Sequence, residues 1–271
     1  MTTAHAATPI ALTIAGSDSS GGAGIQADLK SFAALGVYGA SAITALTAQN
    51  TQGVTGIHLV PPGFVSAQIE AVFADLDVAA VKIGMVAQRD TIEAIADALK
   101  RRPRVPVVLD PVMVATSGDR LLPPDAVAAL RSSLIPAAAI LTPNLPEAAA
   151  LLDEPVASTE ADIEAQGRRL LSLGCPAVLI KGGHGTGSTS IDYLVSRSGT
   201  LALSAPRSPT RNTHGTGCSL SSAIAAGLAK GEDLVTAVRH AKAFVSDAIA
   251  AADRFSVGHG HGPIHHFHRQ Y

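Results

Sequence analysis

A chain of 271 residues with 47% hydrophobic side chains is long enough to bury one large core and short enough to keep it undivided, so a single α/β domain over residues 1–271 is expected. Aromatic residues make up only 3% and Trp is absent, which leaves Ala, Val, Ile and Leu to fill tightly layered helices and strands. The net charge of -2 comes from interspersed acids and bases, which excludes the basic stripe that nucleic acid requires, and no apolar run approaches membrane-spanning length.

The first Lys or Arg is Lys30, so the opening stretch lacks the charged start of a secretory signal and a cytoplasmic protein is expected. Ile10–Ala15 reads as a buried strand, followed by a glycine-rich loop and a helix over Gly24–Leu35. In that loop Gly22-Ala23-Gly24-Ile25-Gln26-Ala27 fits the dinucleotide fingerprint G-x-G-x-x-G/A. The fingerprint also needs an acid roughly 20 positions on to hold the ribose, and none occurs between Asp28 and Glu70. What remains is a loop at the carboxyl end of a strand, where open α/β sheets bind substrates, or a turn with no ligand.

Further strands are predicted at Ser41–Ala48, Ala79–Met85, Val105–Leu109, Ala138–Leu141 and Ala177–Ile180, alternating with helices at Pro62–Leu76, Asp90–Arg101, Pro124–Leu134 and Glu160–Leu173. This is the βαβ rhythm of a mostly parallel sheet covered by helices on both faces. The polar stretch Asp153–Glu160 reads as a surface connection. Beyond it, Ser190–Ser196 and Thr200–Ser204 flank Arg197, Ser198 and Gly199 as a hairpin. Two helices follow, the second over Asp233–Ala252 with an apolar stripe from Leu234 through Val238, Ala241 and Val245.

Three segments point to phosphoryl transfer. Asn212-Thr213-His214-Gly215-Thr216-Gly217-Cys218 precedes a helix beginning at Ser219, and its glycines let backbone N–H groups converge into an anion cradle. Gly215, Thr216 and Gly217 are therefore assigned to the transferred group, with Asn212 and His214 beside the nucleotide. Cys218 ends that loop, where the helix dipole is expected to lower its pKa from about 8.5 and make it a general base; the alternative is a buried inert cysteine. With Cys175 it completes the cysteine count, too few for a disulfide framework, and two free thiols are expected. Thr142-Pro143-Asn144-Leu145-Pro146-Glu147 places Asn144 and Glu147 one helical turn apart, as oxygen donors for Mg²⁺ or as a capping box, and Asp110 ends a strand where it could serve the same ion. Lys181-Gly182-Gly183-His184 offers an ammonium and backbone amides, Gly183 among them, to ATP phosphates, unless Lys181 is only a solvated loop lysine. No Walker P-loop occurs.

These segments, together with Ala15-Gly16-Ser17-Asp18-Ser19-Ser20-Gly21-Gly22-Ala23-Gly24, Thr44-Ala45-Leu46-Thr47-Ala48-Gln49-Asn50-Thr51 and Lys82-Ile83-Gly84-Met85, closely resemble the bacterial hydroxymethylpyrimidine/phosphomethylpyrimidine kinases of thiamine biosynthesis, nearly end to end. The resemblance implies a ribokinase-like three-layer sandwich, with ATP and Mg²⁺ as cofactors. It also implies two successive phosphorylations, first of the hydroxymethyl group and then of the monophosphate. Sugar kinases of the wider superfamily carry Gly-Ala-Gly-Asp where this chain has Gly215-Thr216-Gly217-Cys218, so the usual aspartate base is a cysteine here. By resemblance Gln49, at the end of the second main strand, reads the aminopyrimidine, and Ala23, Met85, Val112 and Asp18 join the same substrate pocket. A homodimer is expected from related kinases. The Gly- and His-rich segment Gly258–His268 resembles the family's ending and is read as native structure rather than a metal site. Two other readings stay open: a pyridoxine or pyridoxal kinase, and a non-catalytic ligand-binding module on the same fold.

Overall fold

In the computed structural model the described residues are 7–113, 122–183 and 187–271. Eight strands form one sheet in the order β10-β9-β8-β7-β6-β5-β1-β2, comprising β1 (Ile10–Ala15), β2 (Tyr38–Ile43), β5 (Ala80–Ile83), β6 (Val107–Leu109), β7 (Ile140–Leu141), β8 (Ala177–Ile180), β9 (Thr189–Ser196) and β10 (Gly199–Pro206). The six strands from β2 to β8 run parallel, and β9 and β10 close the edge antiparallel. A separate two-stranded sheet consists of β3 (Ala45–Asn50) and β4 (Gly53–Leu59).

Side chains alternate across each strand, and each face buries its own core. Leu12, Ile14, Val81, Ile83, Val107 and Leu109 pack under α2 (Pro62–Asp75), α3 (Arg89–Lys100), α4 (Pro124–Ala129), α5 (Leu145–Leu152) and α6 (Glu160–Leu171). Ala11, Ala80 and Val108 pack on the other face under α1 (Gly24–Ala34), α7 (Thr216–Ala229) and α8 (Leu234–Ala250). Small residues at those strand positions let α7, itself rich in Ala and Gly, lie close over the sheet centre.

The structure departs from the expected elements at five points. The predicted strand Ser41–Ala48 is two strands in two sheets. Thr44 turns the chain out of the main sheet, donating its amide to Ala15 O, accepting from Val60 N and donating its hydroxyl to Met85 O. β4 went unpredicted because Thr55, Gly56 and His58 break any apolar alternation. The helix expected to begin at Ser219 begins at Thr216. The turn of the β9–β10 hairpin is shorter than expected, Arg197-Ser198, since Gly199 pairs with Ser196. The helix predicted over Pro124–Leu134 keeps its extent but widens into a π-helical turn at Leu130–Leu134.

Candidate active site

The parallel strands end on one rim, and the loops leaving them line a cavity of about 1080 Å³. Its walls include Asp18, Ala23, Gln49, Met85, Asp110, Val112, Asn144, Glu147, Lys181, Gly183, His214, Gly215, Thr216, Gly217 and Cys218, so all but one of the predicted site residues meet there. The exception is Asn212. Its Nδ2 donates to Asp253 Oδ1 at 2.7 Å and its Oδ1 accepts from Gly262 N at 3.1 Å, which makes it a tie to the C-terminal segment. His184 lies outside the described residues.

The first glycine loop is organised by Asp18. Its Oδ1 accepts from Ser20 N and Oγ, and its Oδ2 accepts from Gly22 N at 3.1 Å and Ala23 N at 2.8 Å. The carboxylate thus fills the amide nest that a dinucleotide pyrophosphate would need, which explains why the fingerprint is present without its function. His214 Nε2 closes the set at 2.8 Å from Oδ2. Burial alone would raise the Asp18 carboxyl, but the hydrogen bonds from His214, Ser20 and Ala23 outweigh it and hold the group far below the usual carboxylate range. Asp18 is 1% exposed with both oxygens engaged, so the loop-to-loop tie, rather than a ligand, takes its hydrogen-bonding capacity.

His214 belongs to the second loop, which abuts the first. Gly215 has φ 79, a left-handed conformation that disfavours any Cβ, and a Cβ there would overlap Gly22 O. The two loops therefore interlock backbone against backbone. Thr216 donates both its amide and its hydroxyl to Thr213 O, closing the turn, so the amides left to point outward at the start of α7 are those of Gly217 and Cys218.

Cys218 stands three residues after the cap Gly215, facing the cavity. The lowered pKa expected for this thiol is not found: burial pushes it up to about 11. Lys82 pulls it down, while Asp28 and Asp110 push it up further. The partial charge of a helix end is smaller than these combined effects, and the ammonium of Lys82 is already neutralised by Asp28. Burial thus favours the neutral thiol over the thiolate.

The oxygen donors predicted for a metal have a structural duty. Asn144 Oδ1 accepts from Glu147 N at 2.8 Å and Glu147 Oε2 accepts from Asn144 N at 2.7 Å, the capping box that was the alternative reading. Lys181 Nζ sits 2.8 Å from Asp110 Oδ1 and 3.8 Å from Glu147 Oε2, and a Cβ on Gly217 would lie 3.3 Å from the same ammonium. Lys181 is thus no solvated loop residue; it bridges two carboxylates and the start of α7. Burial disfavours its charge, yet Asp110 and Glu147 outweigh that and raise its pKa. Burial likewise raises Glu147, with Lys181 opposing and Asp110 reinforcing.

Sequence reading missed the network behind Cys218. Alternation puts Thr13 and Lys82 on the face covered by α1 and α7. There Lys82 Nζ contacts both oxygens of Asp28 at 2.9 and 2.8 Å, with Thr13 Oγ1 at 2.6 Å and Ser222 Oγ at 2.7 Å also donating to that carboxylate. Lys82 and Asp28 are fully buried. The available signal was a lysine in the middle of an otherwise apolar strand. A second missed set holds the Lys181-Gly182-Gly183 turn: Lys242 pairs with Asp192 at 2.8 Å, and Asp192 Oδ1 accepts from Gly182 N at 2.8 Å.

Within the Gly- and His-rich C-terminal segment the histidines differ in setting, His259 and His261 being exposed and His265 and His266 buried. His266 is buried with its Nε2 2.8 Å from Ser219 Oγ in the first turn of α7, and among the described residues no cluster of His, Cys, Asp and Glu could hold a metal ion. Burial pushes its pKa from 6.5 down to about 3, helped by Lys30. A depressed folded-state pKa contributes stability above the unfolded value that is lost as pH falls through 6.5 toward 3, with a slope of about 1.4 kcal/mol per pH unit. Replacing His266 with Gln is expected to flatten urea stability measured across that window; an unchanged slope would assign the acid sensitivity elsewhere.

A family model described as phosphomethylpyrimidine kinase matches residues 18–265. The hydroxymethylpyrimidine/phosphomethylpyrimidine kinase of Rhizobium meliloti is 60% identical over 262 residues, 97% of this chain and 98% of that protein. The Escherichia coli protein described by the same words is 56% identical over 258 residues, 95% of this chain and 97% of its own. Among solved structures, Bacillus subtilis pyridoxal kinase with ADP superposes with a TM-score of 0.88 at 35% identity, covering 96% of this chain and 98% of that one. Staphylococcus aureus pyridoxal kinase with AMP-PCP and pyridoxal gives 0.89 at 30% identity, covering 98% and 96%.

Proposed function

The chain belongs to the phosphomethylpyrimidine kinase family, and on that premise we propose the following division of labour for its ATP-dependent phosphorylation of 4-amino-5-hydroxymethyl-2-methylpyrimidine, first to the monophosphate and then to the diphosphate, in thiamine biosynthesis. The observation that carries it is the convergence on one cavity of the α7 amides, Cys218, Lys181 and Gln49. Gln49 projects from the β3–β4 hairpin with its Oε1 3.1 Å from Thr47 Oγ1, whose single proton is shared with Ser17 O, so its amide N–H groups remain for a ring nitrogen and its oxygen can turn to an exocyclic amine. Ala23, Met85 and Val112 wall the ring.

The amides of Gly217 and Cys218 meet the charge that spreads over the transferred phosphoryl oxygens, and Lys181 adds a fixed ammonium beside them. Asp110 and Glu147 form an all-oxygen donor set of the kind Mg²⁺ takes, already holding one positive charge in Lys181, and these two residues would hold the ion through its waters. The chemistry the ion would supply there is positive charge against the nucleotide phosphates. Asn144 supports the set by fixing Glu147 through the capping box.

Cys218 accepts the hydroxyl proton from its minority thiolate form. Because its pKa lies near 11, log kcat/KM is expected to rise with pH between about 7 and 9, and Cys218→Ala is expected to lose that slope along with on the order of 10²–10⁴ in rate. The test measures ADP release with Mg-ATP and the hydroxymethylpyrimidine, its monophosphate and pyridoxal in turn. Preference for pyridoxal by kcat/KM, or an alanine variant as fast as the parent, would overturn the reading. The pyridoxal alternative is disfavoured by the 60% and 56% identities to pyrimidine kinases against 30–35% to the pyridoxal kinases. A mere binding module would not need proton acceptor, oxygen donors and phosphate turn in one cavity. The homodimer and the cytoplasmic setting stay part of this proposal. They rest on family resemblance and, for the latter, on free thiols and the lack, among the described residues, of any helix able to cross a membrane.

A further inference from the structure

The β3–β4 hairpin stands apart from the main sheet, yet it carries Gln49. Its base is fastened to the first glycine loop, where Ser19 Oγ donates to Gln49 O at 2.8 Å and accepts from Gln49 N at 2.8 Å, and Thr47 Oγ1 donates to Ser17 O at 2.9 Å. Its tip, Thr51-Gln52, is fastened by a different part of the chain. Gly260 N donates to Thr51 Oγ1 at 3.1 Å and His261 N donates to Thr51 O at 3.1 Å. Gly260 lies so close over the tip that a Cβ on it would overlap Thr51 O.

Two residues further on, the same segment grips the anion loop. Gly262 N donates to Asn212 Oδ1 at 3.1 Å, Gly262 O accepts from His214 N at 3.0 Å, and Pro263 bridges to His214. Beyond that point Ile264 and His265 are buried, and His265 N donates to Ala248 O in α8 at 3.0 Å. The segment is therefore anchored to the body beyond Pro263 and spans, in a few residues, from the anion loop to the hairpin tip.

We propose that Gly258–Gly262 is a strap that sets the distance between the pyrimidine-reading hairpin and the phosphoryl cradle, with Thr51 as the positioning residue on the hairpin side. The inference rests on the reading of Gln49 given above. The strap touches neither reactant. It acts through two hydrogen bonds at the tip and two at the loop, and it keeps the acceptor hydroxyl, held from the hairpin, in line with a group held over Gly217. In-line alignment is sensitive to shifts of about 1 Å, so slack at the tip should be read in acceptor kinetics before it is read in stability.

Gly260→Ala forces the strap off the tip, and Thr51→Val removes the side-chain acceptor while keeping its shape. Both are expected to raise KM for the hydroxymethylpyrimidine by roughly three- to tenfold, with KM for ATP unchanged. Thr51→Ser keeps the hydroxyl and should restore parental values. Hydrogen exchange measured on the same proteins is expected to quicken in residues 45–59 and not in β1 or α7. Unchanged exchange in the hairpin of Gly260→Ala, or quickened exchange with no change in acceptor KM, would overturn the strap. Equal rises in both KM values would do the same. A Gln49→Ala control separates the two ideas: if that variant leaves acceptor KM untouched, the reading of Gln49 fails, while the exchange result still judges whether the strap holds the hairpin.

Discussion

Lys82→Met should cost the fold about 3–5 kcal/mol, read as a lowered midpoint of urea unfolding at constant slope. The basis is the geometry around Asp28. Its carboxylate is fully buried and takes two contacts from the Lys82 ammonium plus hydroxyl hydrogen bonds from Thr13 and Ser222. Methionine fills nearly the same volume, so no cavity contributes; what is lost is the counter-charge. Two hydroxyls solvate the stranded anion only in part, and removing one partner of a dry ion pair costs far more than the pair itself contributes. The double variant Lys82→Met/Asp28→Asn removes both charges and should recover most of the loss, which a simple packing defect would not allow. A single-variant loss below about 1 kcal/mol would mean the pair is wetter than its burial implies.

Gly215→Ala should lower kcat by about 10²–10³-fold with a smaller effect on KM for ATP. Alanine at φ 79 pays about 1–2 kcal/mol for the left-handed backbone alone. The larger effect is steric: its Cβ would overlap Gly22 O, so the two glycine loops must part. Parting them swings the amides of Gly217 and Cys218 away from the transferred group and breaks the His214–Asp18 contact at 2.8 Å. The nucleotide keeps Lys181 and the turn held by Asp192, which is why binding should suffer less than turnover. A variant with kcat within fivefold of the parent would place the cradle elsewhere.

Much of the fold was legible because burial on both faces of a parallel sheet writes long apolar runs, and helices write three- and four-residue steps between them. The strand β8 was read to the residue for that reason. The site was legible where backbone shape demands a particular residue, as in the second glycine loop. Where one short motif serves two chemistries, the sequence left both open: Asn144 and Glu147 spell a capping box and an oxygen donor set with the same letters, and the structure realises the first while leaving Asp110 and Glu147 beside Lys181.

The failures have one cause. The thiol of Cys218 was expected to be lowered by its own helix, but burial raises it, with Lys82 of β5 opposing and Asp28 of α1 and Asp110 just after β6 reinforcing, groups that sequence places far away. Asp18 lines the cavity, and its hydrogen bonds to its own loop and to His214, 196 residues on, could not be read from its motif. The sequence by itself determined the layers, the reaction class and the glycines at which two loops approach closely, since periodicity and backbone sterics are local properties. Only the tertiary structure decided which charges neutralise one another, which form of the Cys218 thiol burial favours and what fastens the β3–β4 hairpin, because electrostatic energies and hydrogen bonds depend on distances between segments that no local pattern records.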